Sequence, residues 1–338
     1  MLLSGRPRSG TDEGWLILPR LDGIGDFWLW LPLVESLKKA FPERRLHLLA
    51  NALWADLARV TGLFDKVTPL HPQKLLRSPD YRQKVWKRLR ESPSGLILNT
   101  TFRRRIAVED SVAWFYPASA RQSIAGHADA LEPPPLRRYI EVRLYEKVWP
   151  PPEKDSHEWH LYTYIAQILK IAPPDSGVYA RLLEQAWPEV KPPFPAYLVA
   201  LPGAAAPYRM VPPEIFGELL KEAIEKLGLP IVFLGSRKEL PYVQGLRKFL
   251  PPDRVGDLTG SLSLAESIAV LRQAQGVVGV ETGLTHIAAT WGSPTLVLMG
   301  GGHWGRFLPY PASFPHQAFL LHQPMACYGC GWFCAHTL

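Results

Sequence analysis

The stretch "GVVGVETGLTHIAATWGSPTLVLMGGG", residues 276–302, decides the fold. An apolar run ends at Glu281, Thr282 and Gly283, and a helical segment follows. Gly292 and Pro294 close that helix, and a second apolar run leads into Gly300, Gly301 and Gly302. Strand–helix–strand with short loops implies a parallel sheet covered by helices on both faces.

Working outward, the alternation continues. Toward the N-terminus lie "YLVALPG" (197–203), a helix over 213–227, "IVFLG" (231–235) and a helix over 264–274. The helix at 213–227 has Pro213 early, Ile215, Leu219, Ala223 and Leu227 on one stripe, and Gly228 past its end. Ser263 and Glu266 form a capping box for the next helix.

The first half of the chain repeats the pattern. Apolar runs at 15–21, 45–51, 66–70 and 95–101 alternate with helical segments at 27–41, 52–61 and 81–91. Trp30, Leu33, Leu37 and Phe41 recur at helical spacing, and Pro32 predicts that this helix is kinked or starts late. A further helix is expected in "HEWHLYTYIAQILKI" (157–171). Four prolines break the alternation in "EQAWPEVKPPFPAY" (184–197), which reads as a linker. The expected organisation is α/β: two doubly wound, Rossmann-like domains facing a cleft. The first spans 1–185, the linker 186–196, the second 197–326, and a cysteine-bearing tail 327–338.

Composition narrows the function. Across 338 residues, 47% are apolar and 20% charged, which excludes a disordered chain. No apolar run is long enough to cross a bilayer, and "MLLSGRPRSGTDEG" lacks the apolar centre of a secretory signal. The expected location is the cytoplasm, with peripheral contact at the inner membrane. A net charge of +7 favours an anionic partner, but no long basic tail marks a nucleic-acid binder.

Ligands in doubly wound folds gather at the carboxyl ends of strands beside helix N-termini. "VETGLTH" (280–286) is such a place: Thr282, Gly283, Leu284 and Thr285 would offer N–H groups and hydroxyls to an anion. The glycines at 300–302 read as a second loop of the same kind. "LPGAAAPYRMVPPEIF" (201–216) is a third strand-end loop, with Gly203 near its start and Arg209 able to pair with a phosphate. In "LPRLDGIGDFWLW" (18–30), Asp22 reads as turn chemistry and Asp26 as a presented carboxylate or a helix N-cap. No GxxxxGK[ST] occurs, so no P-loop fingerprint is present.

"RLDGIGDFWLWLPLVESLKKAFP", "PGAAAPYRMVPPEIF", "IVFLGSRKE" and "GVETGLTHIAATWGSPTLVLMG", in this order, resemble glycosyltransferase family 9, the ADP-heptose:lipopolysaccharide heptosyltransferases. The resemblance covers residues 15 to about 310. It implies a GT-B fold and an inverting, metal-independent transfer from a nucleotide-sugar, ADP-heptose, to an anionic lipopolysaccharide-core glycolipid. It places Asp26 at the family's general base and Arg209 where a lysine or arginine faces the donor phosphates. Thr282, Gly283 and Leu284 fall at the phosphate-binding helix start, and Glu239 at the residue holding the nucleotide ribose. Asp26 and the Arg209 cluster would approach the sugar from opposite sides. Two positions depart from the pattern: Glu281 stands where the family shows aspartate, and Ala206 where it often shows tryptophan.

Arg103, Arg104 and Arg105, after a strand end, are candidate contacts for acceptor phosphates. Cys327, Cys330 and Cys334, spaced x2 and x3 and followed by His336, suit thiolate ligation of a structural zinc or iron. Free thiols are the other reading. Alternatives for the whole chain are a heptosyltransferase acting on protein, a nucleotide-sugar epimerase on the same architecture, and a non-catalytic nucleotide- or glycan-binding protein.

Overall fold

The structure is a computed structural model and describes residues 9–127, 131–150 and 157–332. Among the described residues, twelve parallel strands form two sheets of six. The first sheet contains β1 (Trp15–Arg20), β2 (Arg45–Asn51), β3 (Lys66–Leu70), β4 (Gly95–Asn99), β5 (Ala118–Ile124) and β6 (Lys147–Trp149). Its order is β3-β2-β1-β4-β5-β6. The second contains β7 (Leu198–Leu201), β8 (Ile231–Phe233), β9 (Val255–Asp257), β10 (Gly276–Val280), β11 (Thr295–Leu298) and β12 (Ala318–Leu321). Its order is β12-β11-β10-β7-β8-β9, the same doubly wound path counted from its own first strand. Each sheet therefore has a switch point, between β1 and β4 and between β7 and β10.

Helices α1 (Ile24–Ala40), α2 (Ala55–Val60), α3 (Pro72–Arg77), α4 (Pro79–Arg90), α5 (Ser111–Phe115), α6 (Pro134–Leu144), α7 (Glu158–Leu169) and α8 (Gly177–Glu184) precede β7. Helices α9 (Pro213–Leu227), α10 (Leu240–Arg247), α11 (Leu264–Gln273) and α12 (Gly283–Thr290) follow it. Backbone contacts divide the chain into two compact units. Among described residues the first holds 9–23, 30–127, 131–150 and 160–175, and the second holds 24–29, 157–159 and 176–332. The division is less simple than one linker implies, because the first turns of α1 belong with the second unit.

The strands form where both faces can be apolar. All six residues of β1 are buried, as a central parallel strand requires. Pro19 is tolerated there because β4 pairs with β1 only through Ile17. In the first unit Ile17, Leu49, Leu70, Ile97 and Trp114 share one core, and in the second Ala200, Phe216, Leu220, Ile231 and Phe233 share another.

Two helices differ from the sequence reading. α1 begins at Ile24, earlier than Phe27, and carries Pro32 inside it. Pro32 cannot donate to the Trp28 carbonyl, and the Tyr179 hydroxyl donates to that oxygen instead at 3.2 Å. α9 has the expected bounds and a left-handed Gly228 at its end, but its buried face is Phe216, Leu220 and Ile224. Ile215 and Leu227 are exposed, so the expected stripe is rotated by one residue.

Candidate active site

The turn after β1 is pinned from several sides. Arg20, buried, donates to Asp22 at 3.1 Å and to the Tyr162 hydroxyl at 2.9 Å. Asn51 and the Trp54 indole both donate to the Asp22 carbonyl. Asp22 thus holds the turn. Asp26 lies in the first turn of α1, inside the helix and past its N-cap, where the helix dipole favours a carboxylate. Its Oδ1 accepts from Arg306 Nη2 at 2.7 Å. Arg306 Nε in turn donates to buried Glu158 at 3.0 Å, and the Glu158 backbone N–H donates to the Arg306 carbonyl at 2.9 Å. Asp26, Arg306 and Glu158 all belong to the second unit.

At the second sheet's switch point, β7 ends before Gly203 and β10 ends before Glu281. A Cβ on Gly203 would fall 2.3 Å from Glu239 Cγ, so the missing side chain admits the Glu239 carboxylate beside the backbone. Glu239 Oε2 accepts from the Ser236 N–H at 2.5 Å, which fixes it over the end of β8.

Arg209, on a 3-10 turn over Pro207–Arg209, directs Nη2 to the Glu281 carbonyl at 2.9 Å and to Oε1 at 3.2 Å. His303 Nδ1 meets the same Oε1 at 2.9 Å. Burial pushes the Glu281 carboxyl up, but His303 and Arg209 together hold it below the usual carboxylate range. Glu281 Oε2 and Arg209 Nε are both buried with no hydrogen-bond partner among the described residues. Such atoms are costly to leave unpaired.

The start of α12 adds to this. α11 carries the capping box expected of Ser263 and Glu266, whereas no side chain caps α12 at Thr282. Its first N–H groups remain for an anion. Thr282, Gly283 and Leu284 sit at that end, half-buried. Thr285 is different: its hydroxyl is buried and donates to the Val280 carbonyl at 2.7 Å, so it is not offered to an anion.

Gly25 and Gly283 bring α1 and α12 together. A Cβ on Gly283 would be 2.6 Å from Ile24 Cβ, and one on Gly25 would be 2.8 Å from His286 Cδ2. Burial lowers the His286 pKa to about 4, so its ring is neutral near pH 7, and its Nδ1 pairs with the Tyr310 hydroxyl at 2.6 Å. Asp26 is therefore one residue from a contact with the helix that carries the candidate anion site.

Two expectations change. Arg104 is fully buried, donating to Asp110 at 2.7 Å and Glu141 at 2.6 Å, so it faces inward and is not an acceptor contact. Arg105 is exposed and Arg103 half-buried. The glycines at 300–302 are not a second anion loop: Cβ atoms at Gly301 and Gly302 would fall within 2.5 Å of the rings of Tyr328 and Trp332. They make room for the tail. Cys327 and Cys330 form no disulfide and are half-buried, and the other two residues of the expected ligand set, Cys334 and His336, lie outside the described residues. Among those residues no three His, Cys, Asp or Glu side chains form a metal-ligand group.

Sequence reasoning missed His286, His303, Arg306 and Glu158. The first three stand in "TGLTHIAA" and "GGGHWGRF", directly after strand ends, which is a usable signal; Glu158 opens a helix and gives none.

Two parallel units wound in the same order match the GT-B-like fold of solved glycosyltransferase structures. A family model, Glycosyltransferase family 9 (heptosyltransferase), matches residues 155–327, just over half of the chain, and the chain belongs to that family. The fold is similar to a glycosyltransferase family 9 structure from Veillonella parvula DSM 2008 at 16% identity, covering 94% of this chain and 90% of that one with a TM-score of 0.70. It is similar to E. coli heptosyltransferase WaaC with ADP at 17% identity, 91% and 93% coverage and a TM-score of 0.68. For E. coli ADP-heptose lps heptosyltransferase II the values are 16%, 91%, 90% and 0.65. No curated protein matches the sequence. Among the described residues no helix is long and apolar enough to cross a membrane.

Proposed function

We propose that this chain transfers a heptose from an ADP-sugar to an anionic glycolipid of the lipopolysaccharide-core type, inverting the anomeric carbon without a catalytic metal. The observation that carries this reading is the convergence of Arg209, Glu281 and the uncapped start of α12 at one strand end, with the turn bearing Asp26 packed against α12 through His286. The family supports heptosyl transfer, and WaaC, similar in fold, has been seen with ADP and with ADP-2-deoxy-2-fluoro heptose.

The chemistry follows from the charges. The acceptor hydroxyl attacks the anomeric carbon from the face opposite the diphosphate. Its oxygen–carbon bond forms while the bond from carbon to the phosphate oxygen breaks. The Asp26 carboxylate takes the hydroxyl proton, and ADP leaves with the bonding pair. Arg209 and the first N–H groups of α12 meet the charge that develops on the diphosphate. Arg306, anchored by Glu158, orients Asp26. Glu239 lies where a ribose hydroxyl would be received beside Gly203. A metal at the tail cysteines would be structural in this scheme.

The test is Asp26→Asn with the full chain. Transfer from ADP-heptose should fall by roughly 10²–10⁴-fold, the range of general-base catalysis. Stabilisation by ADP in a thermal-shift assay should persist, and ADP should outperform UDP, GDP and CDP. Unchanged turnover in the variant would end the assignment of the base. Preference for another nucleotide would end the assignment of the donor.

A further inference from the structure

The basic segment "PPPLRRY" (133–139), which the proposed transfer does not use, begins α6, and α6 is amphipathic in the reverse sense. Its buried side chains are Arg137, Ile140, Glu141 and Leu144, so half of the inward face is charged. Arg137 Nη1 donates to Asp110 at 2.5 Å and Nη2 to the Arg104 carbonyl at 2.7 Å, while Glu141 receives Arg104 and the Gly126 N–H, each at 2.6 Å. The outward face carries Leu136, Tyr139 and Val142, spaced three apart and 43%, 53% and 65% exposed. A helix that pairs its charges inside and shows an apolar stripe to water forgoes the usual gain of amphipathic packing.

The charges beside the stripe say what covers it. Arg138, Arg143 and Lys147 are exposed, against one exposed acid, Glu146, in the stretch from Pro133 to Trp149. The Arg143 guanidinium lies 3.9 Å from the centre of the Tyr139 ring, and Lys147 Nζ lies 4.8 Å from that of Trp149. Apolar side chains flanked by aromatic rings and bases match the acyl boundary and phosphate layer of an anionic bilayer. A second copy of this face fits poorly, because it would set arginine against arginine.

We infer that the outer face of α6, Leu136, Tyr139 and Val142 with Arg138 and Arg143, is a docking surface for an anionic lipid bilayer. The inward ion pairs hold the helix rigid while its apolar residues enter the headgroup region. The interaction needs neither donor nor acceptor, so it stands or falls separately from the transfer reaction.

The experiment is co-sedimentation of the full chain with vesicles of phosphatidylcholine alone and of phosphatidylcholine mixed with phosphatidylglycerol. The chain should partition onto the mixed vesicles, and added salt should weaken the binding. L136S/Y139S/V142S should bind at least about tenfold more weakly with an unchanged melting temperature. R138Q/R143Q should lose roughly tenfold or more on the anionic vesicles. Failure of the unaltered chain to bind would overturn the proposal, as would equal binding by the triple variant. So would concentration-dependent self-association that the triple variant abolishes without any binding to vesicles.

Discussion

In the first unit, Arg104 sends Nε to Asp110, Nη1 to the carbonyls of Thr101 and Ile124, and Nη2 to Glu141, while both Asp110 oxygens hold a donor. In the second unit, Arg209 reaches Glu281 through Nη2, and its Nε and the second Glu281 oxygen remain unpaired. Both clusters join a largely buried arginine to a buried carboxylate. In the first, every Arg104 nitrogen and both Asp110 oxygens are paired, although Arg137 Nε is buried without a partner among the described residues, and a buried ion pair with its own hydrogen bonds complete is structural. The second is incomplete in the protein alone, which is how a site keeps capacity for a ligand. What separates the two is the central ion pair itself: Arg104 and Asp110 are fully paired, whereas Arg209 and Glu281 are not.

The sharpest break of this comparison is Arg104→Met. Among the described residues, removing the guanidinium leaves Asp110 only Arg137 and Tyr145, and Glu141 only the Gly126 N–H, while both carboxylates stay buried, and urea unfolding should show a loss of about 3–5 kcal/mol. A loss under about 1 kcal/mol would mean that the first cluster is no more structural than the second.

Arg209→Met should do the reverse. Its unfolding free energy should stay within about 1 kcal/mol, because Glu281 keeps His303, while kcat for sugar transfer falls roughly 10²–10³-fold. A destabilised variant with normal turnover would erase the distinction.

A smaller effect concerns pH. Burial raises Glu109, beside Asp110, to about 7 from an ordinary 4.5, so between these values the folded chain holds a proton that the unfolded chain releases. Stability from this group is full below pH 4.5 and declines as pH rises to 7. His286 runs the other way: neutral when folded down to about 4, it loses stability as pH falls from 6.5 toward 4. Glu109→Gln should therefore gain on the unaltered chain as pH rises from 4.5 to 7, by at most ~3 kcal/mol. Denaturation midpoints across that range would show it, and a flat difference would remove Glu109 from the comparison.

The parts legible in the sequence are those where local chemistry and burial agree. The α9 bounds, the Ser263–Glu266 cap and the passage from β10 to α12 follow from glycine, proline and apolar runs. α6 was not legible, because hydrophobic periodicity cannot reveal a helix whose buried face contains Arg137 and Glu141. For the same reason Arg104 reads as a solvated base. β12 alternates half-buried with exposed residues at the sheet edge and gives a weak signal. At the candidate site, strand-end position and the family resemblance singled out Asp26, Arg209 and Thr282 as candidates, but not their surroundings. Asp26 and Arg306 are 280 positions apart, and only the folded chain brings them together.

The glycines at 300–302 carry a consequence for how this chain can change over generations. Tyr328 and Trp332 lie against their backbone, and the Trp332 ring also meets His303, the partner of Glu281. A side chain gained at Gly301 or Gly302 is admissible only with a smaller residue at 328 or 332, and that exchange would reach His303. These positions are bound to drift in concert, so a lineage that altered its tail would carry the mark of it beside Glu281.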